Sequence, residues 1–233
     1  MTEKKNNKRL RLLGGLTVAV LLPLSLYLIV KALSADKIFL PNYYVVERVD
    51  EIKEDGKTIY DTVYHKAADI TLVNQLGDSV SLNKDLSTKI ILVNFFFTQC
   101  PTICPKLTGN MTILQRAFKK NDTTVHLVSI SVDPERDSFP AIRKYADGYG
   151  VNHDHWWLLT GDRDTIYNYA RNELRVVMNE SGQGTDDFVH SQKLVLLDKD
   201  RHIRGYYDGL DTMELKRCAD DIVLLSLEKK RKK

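Results

Sequence analysis

The run Ile90-Ile-Leu-Val-Asn-Phe-Phe-Phe97 is apolar at every position but Asn94. A strand without polar alternation has no face to give to water and belongs at the centre of a sheet covered on both sides. The chain is thereby committed to an α/β fold. Directly after the strand come two thiols, in Thr98-Gln-Cys100-Pro-Thr-Ile-Cys104-Pro105, and then a helical pattern of Leu107, Met111, Leu114 and Phe118. Pro105 suits the first position of that helix, where its missing N–H costs nothing. The unpaired amides of a first turn favour an anion, and cysteines placed there become nucleophiles or metal ligands. Cys100 and Cys104 both fit this description. Two thiolates on one turn can close a disulfide or share one soft metal ion, and copper(I) and zinc both accept such ligands. Spacing alone leaves that choice open.

A chain of 233 residues with 43% hydrophobic content accommodates one sizeable domain with appendages. The net charge of +3 is small, and much of the basic excess sits at the ends, in Lys4 to Arg11 and Lys229 to Lys233. No basic patch with interleaved aromatics is left for nucleic acid. From Leu12 to Val30 no residue is charged. Such a length, about 19 residues at roughly 1.5 Å each, matches the hydrocarbon core of a bilayer, so a transmembrane helix is expected over 12–30. More basic residues precede it than follow it, which keeps 1–11 cytoplasmic and sends the rest outward. Cleavage as a signal peptide near Ala32-Leu-Ser-Ala35 is the alternative. A lipid-modified cysteine is not expected, because none precedes Cys100. In an oxidising compartment the cysteine pair closes unless reduced or metal-bound. Cys218, within a C-terminal helical pattern, reads as a buried small hydrophobe.

Residues 31–69 read as an extended lead-in, with strands at Tyr43–Glu47 and Thr58–Tyr60 around Asp55-Gly56, covering an edge of the main sheet. The main domain, 70–228, opens with a hairpin, Ile70–Val73 and Ser79–Leu82 about Gly77-Asp78. After the cysteine helix, Val125–Val132 is a strand, Pro140 opens a helix to Tyr149, and Trp156–Leu159 is a short strand or edge segment. Asp164–Asn172 is helical, Val176–Met178 extended and Gly182–Asp187 a polar loop. Lys193–Leu197 and Ile203–Tyr207 form a second hairpin, Asp211 starts the last helix, and 229–233 is a basic tail. This order is that of a thioredoxin-like α/β domain, a central mixed sheet flanked by helices.

Of the six histidines, His190 is set apart by position. It follows the polar loop and opens the strand through Leu197, where a thioredoxin-like sheet faces the cysteine helix. His153 and His155 read as loop residues and His126 as structural. Asp133 and Asp137 stand at a strand-to-helix junction, where carboxylates commonly cap helices. Four ordered motifs, Phe97-Thr-Gln-Cys-Pro-Thr-Ile-Cys-Pro105, Ser129-Ile-Ser-Val-Asp-Pro-Glu-Arg-Asp137, Trp157-Leu-Leu-Thr-Gly161 and Phe188-Val-His-Ser191, resemble those of the Sco (SenC) family of copper-binding proteins that help assemble cytochrome c oxidase.

The resemblance implies that Cys100 and Cys104 are copper-binding thiolates and His190 the third ligand, for copper(I) and copper(II). Val189 stands where many members carry an aspartate, so an outer carboxylate would come from Asp186 or Asp187, with Asp133 and Asp137 as further candidates. The implied partners are the copper-site subunit of the oxidase, an upstream copper donor and a thioredoxin-like reductant. The implied location is a bacterial inner membrane with the domain in the periplasm. The expected function is a membrane-tethered copper carrier; the alternative is a thiol–disulfide oxidoreductase acting on the same oxidase cysteines. Thioredoxin-like oxidoreductases place a proline opposite the cysteine pair, whereas the last proline here is Pro140, which favours metal binding.

Overall fold

The computed structural model describes residues 19–30, 45–54, 57–119, 123–176 and 192–228. The chain divides into two compact units, Met1–Phe39 and Leu40–Lys233. In the first, residues 19–30 are helical (α1), and all of them are exposed. Residues 12–18 of the apolar run lie outside the described residues. Among the described residues no helix is long and apolar enough to cross a membrane.

The second unit opens with β1 (Val46–Glu54) and β2 (Lys57–Tyr64), an antiparallel pair forming a sheet of its own. Among the described residues the two lead-in strands therefore pair with each other and not with an edge of the main sheet, where they were expected. Its strands are longer than their apolar residues indicate, and Val46, Val49, Ile52, Ile59 and Tyr60 remain exposed on the ribbon. Beyond the ribbon, Lys66 bridges His202, the Ala67 amide donates to the Arg201 carbonyl at 3.0 Å, and the Ala68 amide donates to the Glu173 carboxylate at 2.7 Å.

The hairpin β3 (Thr71–Asn74) and β4 (Ser79–Ser81) forms as expected and leads through the short α2 (Leu82–Asp85) to β5 (Ile90–Phe96). Next come α3 (Ile103–Ala117), β6 (Val125–Ser131), α4 (Phe139–Tyr149) and β7 (Trp156–Thr160). The helix α5 (Arg163–Asn168) continues into a wider turn at Tyr169–Glu173. The chain returns through β8 (Lys193–Leu197), β9 (Ile203–Asp208) and α6 (Thr212–Leu227), capped by Asp211. The main sheet has seven strands in the order β4-β3-β7-β6-β5-β8-β9. β5, β6 and β7 run parallel, while β3 and β8 oppose them. Trp156–Thr160 is thus an interior strand.

Every residue of β5 is buried. Its lone polar side chain, Asn94, accepts the Ser129 hydroxyl at 2.6 Å, and Ser129 in turn accepts the Trp156 indole N–H at 2.9 Å. This polar chain crosses β5, β6 and β7, leaving each buried group partnered. Leu107, Met111 and Leu114 bring the buried face of α3 onto the core. Arg201, in a left-handed turn at φ 70°, sends its guanidinium inward to the carbonyls of Leu82, Leu86 and Lys89. It fastens the β8–β9 turn to the segment that feeds β5.

His126 is structural, as its alternation within β6 predicts. It is buried edge-on to Trp157 with centroids 4.5 Å apart, and its Nε2 has no hydrogen-bond partner among the described residues. Burial, aided by the positive fields of Lys89 and His155, lowers its pKa from 6.5 to about 3. The folded state thus refuses a proton that the unfolded chain accepts below about pH 6.5. The stability from neutral His126 is complete above that pH and is lost as pH falls toward 3, by about 1.4 kcal/mol per pH unit. Urea unfolding between pH 7 and pH 4 should show this slope, and His126→Leu should flatten it. An unchanged slope in the variant would remove His126 as its source.

Candidate functional site

The paired ends of β5 and β6 leave the sheet side by side, with the Val132 amide donating to the Phe96 carbonyl at 2.9 Å. Antiparallel β8 enters from this same end and β9 returns to it, pairing Lys193 with Asp208. The segment after β5 carries Cys100 and passes directly into α3.

The helix begins at Ile103, with Thr102 as N-cap, so Pro105 stands two residues deeper than predicted. It is still within the first turn, where an N–H has no intrahelical acceptor to miss. Thr102 supplies no side-chain cap. The Cys100 sulfur serves instead, accepting the Cys104 amide at 3.3 Å. Burial pushes the Cys100 thiol up, but the amides of Cys104, Thr102 and Ile103 together with the Cys104 thiol outweigh it, and its pKa lies below the ordinary thiol value. Cys104 behaves differently from the sequence expectation. It faces the core at 3% exposure, and burial pushes its pKa up to about 12 despite the Phe97 amide, with the charges of Cys100 and Asp137 adding to the rise. The pair is one thiol eased toward ionisation and one held protonated, neither in a disulfide.

Asp137 does not cap α4; Ser138 holds that position. Asp137 is instead fully buried and accepts from the Thr98 amide at 3.0 Å, the Thr98 hydroxyl at 2.5 Å and the Ser131 hydroxyl at 2.6 Å. Asp133, also buried, pairs with Arg136, and its carbonyl accepts the Asp137 amide at 2.9 Å. Burial raises the Asp133 pKa, with Arg136 opposing. Ser131 was not singled out by sequence, and Thr98 was noted only for its place beside Cys100. Their signal was weak, because a hydroxyl beside a buried strand end announces no partner.

On the other side of α3, Asn110 donates to the Gly209 carbonyl at 2.7 Å, and the Gly209 amide donates to the Gln192 carbonyl at 2.8 Å. A Cβ on Gly209 would stand 2.2 Å from Leu107 Cδ1 and 3.0 Å from the Gln192 carbonyl oxygen, so glycine permits this approach. The cysteine helix is thereby tied to the entrance of β8. His190, Asp186 and Asp187 lie outside the described residues. His153 is engaged by Gln75 and Asp147. Cys218 is fully buried in α6, with its pKa raised by burial, which fits an inert core thiol. Among the described residues no group of three or more His, Cys, Asp or Glu stands ready to hold a metal ion. The described donors are the two sulfurs.

A mixed sheet with a dithiol at the start of the helix after its central strand defines a thioredoxin-like α/β protein. The family model for SCO1/SenC matches residues 60–223, and the chain belongs to that family. It is 32% identical over 168 residues to the SCO1 protein homolog of Bacillus subtilis strain 168, covering 72% of this chain and 86% of that one. The solved structure of BsSco, described as a member of the Sco family of cytochrome c oxidase assembly proteins with a disulfide switch, is 31% identical. It superposes with a TM-score of 0.62 over 71% of this chain and 95% of that chain. Bradyrhizobium japonicum ScoI, solved with copper bound, is 26% identical, with a TM-score of 0.56 over 68% of this chain and 98% of that chain.

The unequal thiols set an order of reaction. Limiting iodoacetamide at pH 8 should modify Cys100 first, and Cys104 should follow only at much higher pH or on unfolding. Peptide mass spectrometry reads the order. Equal labelling of the folded chain would contradict the described environments.

Proposed function

We propose that this chain is a membrane-anchored, extracytoplasmic copper carrier that serves the dinuclear copper site of cytochrome c oxidase. Copper is its cargo, held by the thiolates of Cys100 and Cys104 with His190 as third ligand. The observation that carries this reading is the pair of sulfurs on one helical turn, one already favoured as thiolate by the first-turn amides. Copper bound to the B. japonicum relative and the oxidase-assembly role of BsSco support it. His190 precedes by two residues Gln192, which enters the sheet at the dithiol end. Asp186 and Asp187 are the candidates to orient its ring.

Chemically, soft thiolates suit copper(I), and an added imidazole extends the site to copper(II). Cys100 offers the first sulfur. Cys104 gives up its proton when the incoming cation compensates the charge that burial opposes. An upstream donor supplies the metal, and a thioredoxin-like reductant keeps the thiols open. The uncharged span from Leu12 to Val30 anchors the chain in a bacterial inner membrane, with the domain in the periplasm and the basic N-terminus inside.

A second reading rests on the same asymmetry. A thiol whose pKa is lowered beside one whose pKa is raised suits an attacking and a resolving cysteine, so a thiol–disulfide reductase would use this pair too.

The reduced fragment starting at Leu40 separates the two. Under anaerobic conditions it should bind one equivalent of copper(I), and its copper(II) form should show intense sulfur-to-copper charge transfer. His190→Ala should weaken copper(II) binding by more than the roughly tenfold that loss of an outer partner costs. Unchanged affinity and spectrum in that variant would refute the three-ligand site. A fragment that reduces a partner's disulfide yet binds no copper would establish the reductase instead. Cell fractionation tests the anchor: the full 26.7 kDa chain should sediment with membranes and resist carbonate extraction. A shortened soluble form, lacking residues up to about Ala35, would show cleavage.

A further inference from the structure

We propose that Asp137 is a positioning residue for the dithiol, acting on Cys100 through its grip on Thr98. The inference deepens the reading of Cys100 and Cys104 as the carrier's sulfur ligands and rests on it only for its copper arm. β5 ends at Phe96, so Thr98 has left the sheet ladder two residues before Cys100. What receives it is the fully buried Asp137 carboxylate, with Oδ1 on the Thr98 hydroxyl at 2.5 Å and Oδ2 on the Thr98 amide at 3.0 Å. The same Oδ2 accepts the Ser131 hydroxyl at 2.6 Å, and the Asp137 amide is fixed to the Asp133 carbonyl at 2.9 Å. Ser131 also accepts the Asp133 amide at 3.1 Å. One side of the carboxylate is thus anchored in the end of β6 and its turn, and the other grips the cysteine segment.

The chemistry of the donors explains why a carboxylate stands there. An amide N–H and two hydroxyls converge on it, and an ionised carboxylate accepts from all of them. An asparagine of the same size, with its oxygen toward the Thr98 amide and Ser131, would turn its NH₂ group to the Thr98 hydroxyl, which would have to reverse and accept. Hydrogen bonds to an ionised acceptor are also roughly twice as strong as neutral ones. The effect is directional. With Thr98 held, the next turn closes through the Cys100 amide and the Phe97 carbonyl at 3.4 Å, and the Cys100 sulfur is presented to the first-turn amides of α3. Asp137 thereby fixes where the Cys100 sulfur stands relative to the start of α3.

The test uses the full chain in detergent, with Asp137→Asn, Thr98→Val and Ser131→Ala. Thr98→Val and Ser131→Ala each remove one hydroxyl from the same carboxylate, the first on the cysteine side and the second on the scaffold side. The first readout is the ratio of Cys100 to Cys104 alkylation at fixed pH, which needs no copper; the second is copper(I) affinity against a competing chelator. Asp137→Asn and Thr98→Val should lower the alkylation ratio by about tenfold, the equivalent of one pKa unit. They should weaken copper(I) binding about 10–100-fold, as for an outer-sphere partner. Ser131→Ala should lower the unfolding temperature comparably while moving both readouts less. Should Asp137→Asn fail to fold, Thr98→Val carries the test alone. Variants that lose stability but keep the unaltered chain's alkylation ratio would overturn the proposal and leave Asp137 a purely structural residue. An unaltered chain that binds no copper, with the ratio still collapsing in Thr98→Val, would sink the carrier reading and uphold the positioning role.

Discussion

The structure depends on β5 having no side to give to water. All seven of its residues are buried, so both faces need cover and both edges need strands, which β6 and β8 supply. The place where such a strand can release the chain to a reactive loop is its end. There the second constraint acts: α3 starts without a side-chain cap, and its first amides need an acceptor. The Cys100 sulfur is that acceptor. Reactivity is therefore a by-product of closing the fold at this point, since the group that completes the helix is stabilised as an anion by doing so.

The two cysteines share a helical turn but not an environment. Cys100 looks along the helix toward its amides, whereas Cys104 looks into the core, and burial dominates its behaviour. A site with both thiols ionised would gather two like charges in a weakly polar place. A site with both protonated would be inert. A pair that differs in ease of ionisation offers its sulfurs in order, Cys100 before Cys104, and a cation or a disulfide partner can then draw in the second. The buried carboxylate of Asp137 works in the same direction by disfavouring a second negative charge at Cys104.

The sheet was legible wherever the pattern was local and strong. The unbroken apolarity of β5, the helical spacing of Leu107, Met111 and Leu114, and the turn residues of both main-sheet hairpins lead directly to the observed elements. Cys100 and Cys104 were legible as a pair but not as unequal partners, because their difference comes from which way each faces once α3 has packed. For Asp137 the sequence left helix capping and a place beside the site both open, because a junction carboxylate looks the same whether its acceptors are used by the next turn or by Thr98, far away in the chain. The β1–β2 ribbon was placed wrongly for a related reason. Its apolar residues suit a covered surface, yet among the described residues the strands pair with each other alone, and the exposed side chains carry no mark of that. The inward turn of Arg201 left no periodic trace at all.

The mixed direction of the sheet gives the site its remaining property. An all-parallel sheet would start each strand at the end far from the thiols, and residues at the start of a strand could not approach them. Because β8 opposes β5, the chain enters β8 at the dithiol end, and the Asn110–Gly209–Gln192 hydrogen bonds fasten that entrance to the cysteine helix itself. The absence of a side chain at Gly209 lets the contact close, since Leu107 occupies the space a Cβ would need. Thr98 and Asp137 hold the cysteine segment from the β6 side while Asn110 and Gly209 hold its helix from the β8 side. The thiols therefore sit between two fixed walls, and the orientation of their segment is set from both sides of the sheet.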